Sequence, residues 1–223
     1  IVPSGFTQGA GHGSTFEDEF GNLWHTSSVC VCVNHNFERR LGLWPAGADE
    51  DGILFCNQYF ADYPKEIPEG KFDARKIAPA YMLLSYKKKA TASSARKGMG
   101  PQNAVDESIR SMWQAESGKK GEWLCVDLGA EKDVRCVQVS FGDFEVPKKK
   151  APRREYGGTI SQERFIDTEQ PDYVYTLEVS SDGKTWQPYA GGSTKLPHKL
   201  WAANARARYV RIIFESAPFG QKF

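Results

Sequence analysis

No stretch of this 223-residue chain approaches ~18 consecutive apolar residues, so none of it reads as a transmembrane helix. Its first residues, "IVPSGFTQGAG", carry neither a basic leader nor an apolar core segment, and no signal peptide is visible. An initiator methionine is lacking too. The chain therefore reads as a mature or excised piece whose own N-terminus does not give its compartment. Net charge is almost absent, at +1, and Arg and Lys form no helical stripe, which argues against a nucleic-acid partner. Cysteines are few and odd in number, and the spacing of Cys30, Cys32, Cys56, Cys125 and Cys136 matches no zinc pattern. Cys30 and Cys32 alternate along one strand and serve as small apolar fillers. Only strand proximity speaks for a Cys125–Cys136 disulfide.

What is present is a globular composition, with 13% aromatic and 26% charged residues. The length suits one large domain or two ordinary ones. Charge is unevenly shared. Residues 1–85 hold 11 acidic against 6 basic side chains, a net −5, whereas 86–223 hold 17 against 23, a net +6. The change of sign suggests a boundary near Lys87-Lys88-Lys89.

The segment "GAGHGSTFEDEFGNLWH" opens the first part. Ser14–Glu19 and "LWHTSSVCVCV" are strand-like runs about a Gly21-Asn22 turn, a hairpin signature. Phe37–Trp44 reads as a third strand, "PAGADEDG" as a turn-rich break and Ile53–Cys56 as a short fourth strand. Four sequential antiparallel strands make one propeller blade in size. So small a sheet cannot bury both faces, and no second copy of the pattern follows. His12, between glycines that let the backbone turn, is either a core histidine with satisfied nitrogens or a group displayed in a cavity.

"GHGSTFEDEFGNLWHT", "NFERR", "DEDG" and "FADYP" resemble the last blade of glycoside hydrolase family 43, the five-bladed propeller enzymes, over residues 1–68. The resemblance implies that His12 points into the central channel and binds a metal ion or an ordered water. It also implies that an arginine before the "DG" turn reaches substrate hydroxyls: Arg40 matches best and Arg39 is the runner-up. The two alternate along the strand, so only one faces the channel. A solvated basic pair answering Glu38 is the competing reading. Glycoside hydrolysis needs two carboxylates flanking the bond. In this family they come from earlier blades, upstream of this stretch. Glu17, Asp18 and Glu19 lie at a hairpin turn, where acidic side chains are usually solvated, so no catalytic residue is assigned.

Residues 69–87 read as an extended linker strap, with "AYMLLSY" as an apolar anchor. Beyond it, "EWLCVDLG", "DVRCVQVSF", "YVYTLEVSSDGKTWQPY" and "ARYVRIIF" alternate in polarity and are joined by polar turns. They predict an all-β sandwich. "NAVDESIRSMWQA…GEWLCVDLG…VRCVQVSF…YTLEVSSDGKTW…ARYVRI" resembles the discoidin, or coagulation factor 5/8 type C, domain, which overlaps carbohydrate-binding module family 32. The resemblance covers 88–223 and implies one further final strand, which this sequence lacks. It implies a structural calcium ion at the "NAVDESIRSMW" loop, with Asp106 giving a carboxylate and Ser111 a hydroxyl or carbonyl. "DES" stands where the family often has "DG", so Asp106 as a plain turn former stays open. Sugar-binding loops at one end of the sandwich would offer an aromatic platform and hydrogen-bonding groups. The candidates are Tyr156, Phe219, Arg96 and Arg153, whereas Trp113, Trp123 and Trp186 fit core positions. "EVPKKKAPRREYGGTISQERFIDTEQPDY" reads as an inserted strap or solvated loop.

The fold class expected is all-β: an incomplete propeller, represented by its last blade, plus a discoidin-like β-sandwich jelly roll. The resemblances imply the C-terminal region of a secreted, periplasmic or cell-surface glycoside hydrolase, with the missing upstream blades as its partner. Its substrate would be plant polysaccharide with arabinose, xylose or galactose units. The sandwich would bind carbohydrate or serve structurally. The alternative is a non-catalytic sugar-binding or adhesion protein.

Overall fold

A computed structural model describes residues 8–30, 39–56, 63–142, 153–156, 159–162, 172–196, 198–218 and 222–223. The protein is all-β, and its strands pair antiparallel. Strands β1 (Gln8–Glu17), β2 (Leu23–Cys30), β3 (Arg39–Ala48) and β4 (Leu54–Cys56) form a four-stranded sheet in sequential order. β3 runs on through Pro45–Ala48, where a break was expected. Its partner Trp24 stands directly opposite Pro45, so the sheet continues past the proline.

On one face of this sheet, Trp44 is fully buried and lies across Gly42, where an added Cβ would come within 2.1 Å of the indole. The opposite face leaves Phe16, Leu41 and Leu43 exposed, Leu41 at 76%. The hairpin turn is built on Asp18. Its carboxylate accepts from Phe20 N at 3.0 Å, Asn22 N at 2.8 Å, Asn22 Nδ2 at 3.0 Å and Trp24 Nε1 at 2.9 Å. Burial opposes ionisation there, but the bonds from Trp24, Asn22 and Phe20 outweigh it and hold the Asp18 pKa to about 2.

The strap is fastened to this turn. Asn22 Nδ2 donates to Gly70 O at 2.9 Å, Phe72 N donates to Asn22 Oδ1 at 2.9 Å, and Lys71 Nζ donates to Gly21 O. Phe72 meets Trp24 edge to face at 5.1 Å. Within "AYMLLSY", Met82, Leu83 and Tyr86 are exposed, whereas Tyr81 and Leu84 are half-buried.

A five-stranded sheet follows, in the order β10-β9-β11-β6-β5, from β5 (Lys89–Ala92), β6 (Trp123–Ser140), β9 (Tyr173–Ser180), β10 (Gln187–Thr194) and β11 (His198–Ser216). A separate hairpin joins β7 (Arg153–Tyr156) to β8 (Thr159–Gln162) within the expected insertion. β6 fuses two expected strands through an exposed middle, Gly129–Asp133. Strict alternation in β9 turns Tyr173, Tyr175, Leu177 and Val179 inward. With Ala115, Ile212, Phe214 and Phe223, three of these four, Tyr173, Tyr175 and Leu177, form the core, and Trp113, Phe141 and Trp201 pack against it. Trp186 does not join them. Its ring lies under the Arg211 guanidinium, 3.9 Å from the ring centroid, on the other face of the sheet. Cys30, Cys56, Cys125 and Cys136 are free thiols, so the Cys125–Cys136 pair is not bridged.

Candidate functional site

The richest polar constellation lies where β5 ends and β6 begins. From Ser93 the chain leaves the sheet, turns at Gly98, makes a 3-10 turn over Pro101–Val105 and returns extended through Met112–Ala115. Asn103 braces this excursion, donating through Nδ2 to Met112 O at 3.1 Å and Gly98 O at 3.3 Å. The outgoing and returning limbs are then cross-linked. Arg96 N donates to Gln114 O at 2.8 Å, and Arg96 Nη1 to Gln114 Oε1 at 3.0 Å. Trp113 Nε1 donates to Ser94 O at 2.9 Å. Gln114 is buried and Arg96 half-buried, so the loop presents a guanidinium whose orientation is fixed by an amide. That pairing can offer directional hydrogen bonds to hydroxyl-rich ligands.

Glu122 closes the base of the loop. Its carboxylate accepts from the hydroxyls of Ser93, of Ser94 at 2.9 Å and of Ser117 at 2.6 Å. Burial pushes its pKa up, the serine hydroxyls pull it down, and the net shift is downward.

Asp106 and Ser111 are brought together. Ser111 Oγ donates to Asp106 Oδ2 at 2.6 Å, and Ser108 N donates to Asp106 Oδ1 at 2.9 Å. Ser111 N also donates to Ser108 O at 3.4 Å. Calcium takes roughly six to eight oxygens. One carboxylate, one hydroxyl and one carbonyl in a single turn fit one wall of such a site. Among the described residues no three His, Cys, Asp or Glu side chains gather into a metal cluster.

His12 is exposed, at φ 55, within the bulged stretch of β1. The adjacent Gly13 clears space for a different histidine: an added Cβ there would stand 2.4 Å from His25 Nε2. His25 Nδ1 in turn lies 3.0 Å from Thr15 Oγ1. Arg40 is half-buried and near His198, at the start of β11. His198 Nδ1 lies 2.7 Å from Ser140 Oγ, and burial first, then the charge of Arg40, lowers its pKa. Arg39 adjoins Arg40 on β3 but its side chain is outside the described residues, as are those of Arg153 and Tyr156 on β7. Phe219 is outside them altogether. Gln114, Glu122 and His25 were not anticipated. The "SS" before Arg96 and the Glu before "WLCVDLG" were their only traces in the sequence.

A cavity of about 700 Å³ opens below the sheet, lined by core-face residues including Leu124, Val126, Val137, Leu177 and Ile212, with Asp106 and Ser111 at its wall.

Residues 89–150 match the family model of the F5/8 type C domain. No curated protein matches the chain in sequence. Several solved structures are similar. Chitosan-binding module 1 of a chitosanase/glucanase from Paenibacillus sp. IK-5 is 20% identical, with a TM-score of 0.46, over 64% of this chain and 92% of that one. A Clostridium perfringens module in complex with GlcNAc-α-1,4-galactose is 13% identical, with a TM-score of 0.45, over 64% and 88%. A glycoside hydrolase is 21% identical, with a TM-score of 0.44, over 94% of this chain and 44% of that one. At such scores these likenesses decide neither ligand nor activity. Among the described residues no helix is long and apolar enough to cross a membrane.

Proposed function

We propose that the region built on the five-stranded sheet is a carbohydrate-binding module whose sugar contacts centre on the Arg96 loop. The observation that carries this reading is the Arg96–Gln114 pair, a guanidinium held in place by a buried amide. The F5/8 type C match over 89–150 includes the whole loop and supports it. Tyr156 or Phe219 supplies the aromatic platform, and Arg153 a second donor. One shallow site of this kind buries little area, so affinity falls near millimolar, about −4 kcal/mol.

In the same reading the chain is the C-terminal region of an extracytoplasmic glycoside hydrolase of arabinofuranosidase, xylosidase or galactosidase type. The four-stranded sheet is the last blade of a family 43-like propeller, with His12 and Arg40 directed to its channel. Its exposed Phe16, Leu41 and Leu43 support a neighbouring blade on that face. Paired catalytic carboxylates belong to other blades.

The test is a titration of galactose, arabinose and xylose into isotope-labelled protein, following amide shifts. Shifts around Arg96 and Gln114 that vanish in Arg96→Ala support the site. An absence of shifts at high sugar overturns it and leaves a purely structural module.

A further inference from the structure

Glu122 stands one residue before β6, and its backbone is fixed on the central strand. Phe214 N donates to Glu122 O at 2.9 Å, and Gly121 N donates to Phe214 O at 2.8 Å. From that fixed point its carboxylate draws in three hydroxyls from two segments, Ser93 and Ser94 on the outgoing limb and Ser117 on the returning one.

Each serine behaves alike. Ser93 Oγ accepts from Trp123 N at 2.9 Å, Ser94 Oγ from Glu116 N at 3.0 Å and Ser117 Oγ from Lys119 N at 3.3 Å. A hydroxyl has one proton to give. For each serine the Glu122 carboxylate is the nearest acceptor of that proton, Ser93 having Trp123 O at 3.4 Å as a second, and each oxygen is left to hold a backbone N–H. An ionised carboxylate accepts only, so it alone suits all three at once. Ser94 then passes the arrangement on: its carbonyl holds the Trp113 indole, and two residues later Arg96 engages Gln114.

We propose that Glu122, by orienting these serines, is the positioning residue of the Arg96 loop and governs sugar affinity without touching sugar. The affinity part rests on the sugar-binding reading above, while the positioning part stands by itself. A glutamine has the same shape but keeps only one acceptor oxygen and turns an N–H₂ group toward the remaining hydroxyls. At least one serine therefore loses the acceptor for its proton and must reorient to find another.

The experiment uses the full chain with Glu122→Gln, Ser94→Ala and Arg96→Ala. The Trp113 indole N–H and the Arg96 side-chain N–H are followed by NMR, together with titration of the sugar that shifts the native protein. Glu122→Gln is expected to move both reporters and weaken sugar binding about tenfold, the scale of one lost charge-assisted hydrogen bond. Arg96→Ala is expected to abolish sugar binding with the Trp113 signal in place. If Glu122→Gln does not fold, Ser94→Ala carries the test through the same reporters. Unmoved Trp113 and Arg96 signals in a folded Glu122→Gln or Ser94→Ala protein overturn the proposal. If the reporters move but Arg96→Ala binds sugar normally, the sugar-binding reading falls and the positioning role survives.

Discussion

The indole N–H of Trp201 donates to the hydroxyl of Tyr175 at 2.8 Å, and the two rings stand edge to face at 6.2 Å within the core of the five-stranded sheet. Tyr175 is 1% exposed, so its hydroxyl has no ready substitute partner in water. Tyr175→Phe leaves the Trp201 donor orphaned and is expected to cost about 1–2 kcal/mol. Trp201→Phe removes the other partner, and the double variant should lose less than the sum of the two. Urea denaturation of the four proteins measures the coupling. Strict additivity would show the bond to be energetically silent.

Asp18→Asn is expected to loosen the first hairpin and lower its melting temperature by a few degrees. The asparagine keeps one acceptor oxygen where the carboxylate serves four donors. The Asp18 pKa is lowered to about 2 from an ordinary 3.8. Its stabilisation is therefore complete above pH about 4 and is lost as pH falls toward about 2. Trp24 fluorescence followed through acid titration should show this loss in the native protein and not in Asp18→Asn.

Calcium is expected to raise the melting temperature through Asp106 and Ser111. A ligand that binds the folded state alone stabilises it by about 2.7 kcal/mol at a hundredfold excess over Kd. Asp106→Ala should remove the response. Equal melting with calcium and with chelator, for both proteins, would leave Asp106 as a turn residue held by Ser108 and Ser111.

Gly42→Ala is expected to destabilise the four-stranded sheet by about 1–3 kcal/mol, because the new methyl meets a rigid, fully buried indole. Gly13→Ala meets the half-exposed His25 imidazole instead. Its loss should be smaller and largely relieved in Gly13→Ala/His25→Ala. Thermal melts of the variants test the contrast, and an unrelieved Gly13→Ala loss would place the strain in the backbone.

The strands were legible where alternation is strict. Tyr173, Tyr175, Leu177 and Val179 announce their buried face, and the Asp182-Gly183 turn announces the bend after them. At that bend the Asp182 carboxylate accepts from Lys184 N and Thr185 N at 2.8 Å and takes the Ser180 hydroxyl. Cross-strand register is absent from a sequence, which is why the sequence does not show that the vacant side of Gly13 accommodates His25. The Glu122 network was hidden for a related reason. It is assembled from separate stretches of ordinary serines, and only the folded sheet makes them neighbours.

β11 is the most C-terminal of the described strands, yet it lies in the middle of its sheet, between β9 and β6. A ribosome therefore releases both flanking strands, with opposed unpaired edges, before the strand that joins them exists. Those edges stay exposed until Ser216 emerges, so this region is slow to close and depends on contacts far apart in sequence. Its period of greatest exposure to aggregation falls late in synthesis, when the first sheet and the strap that fastens it are already complete.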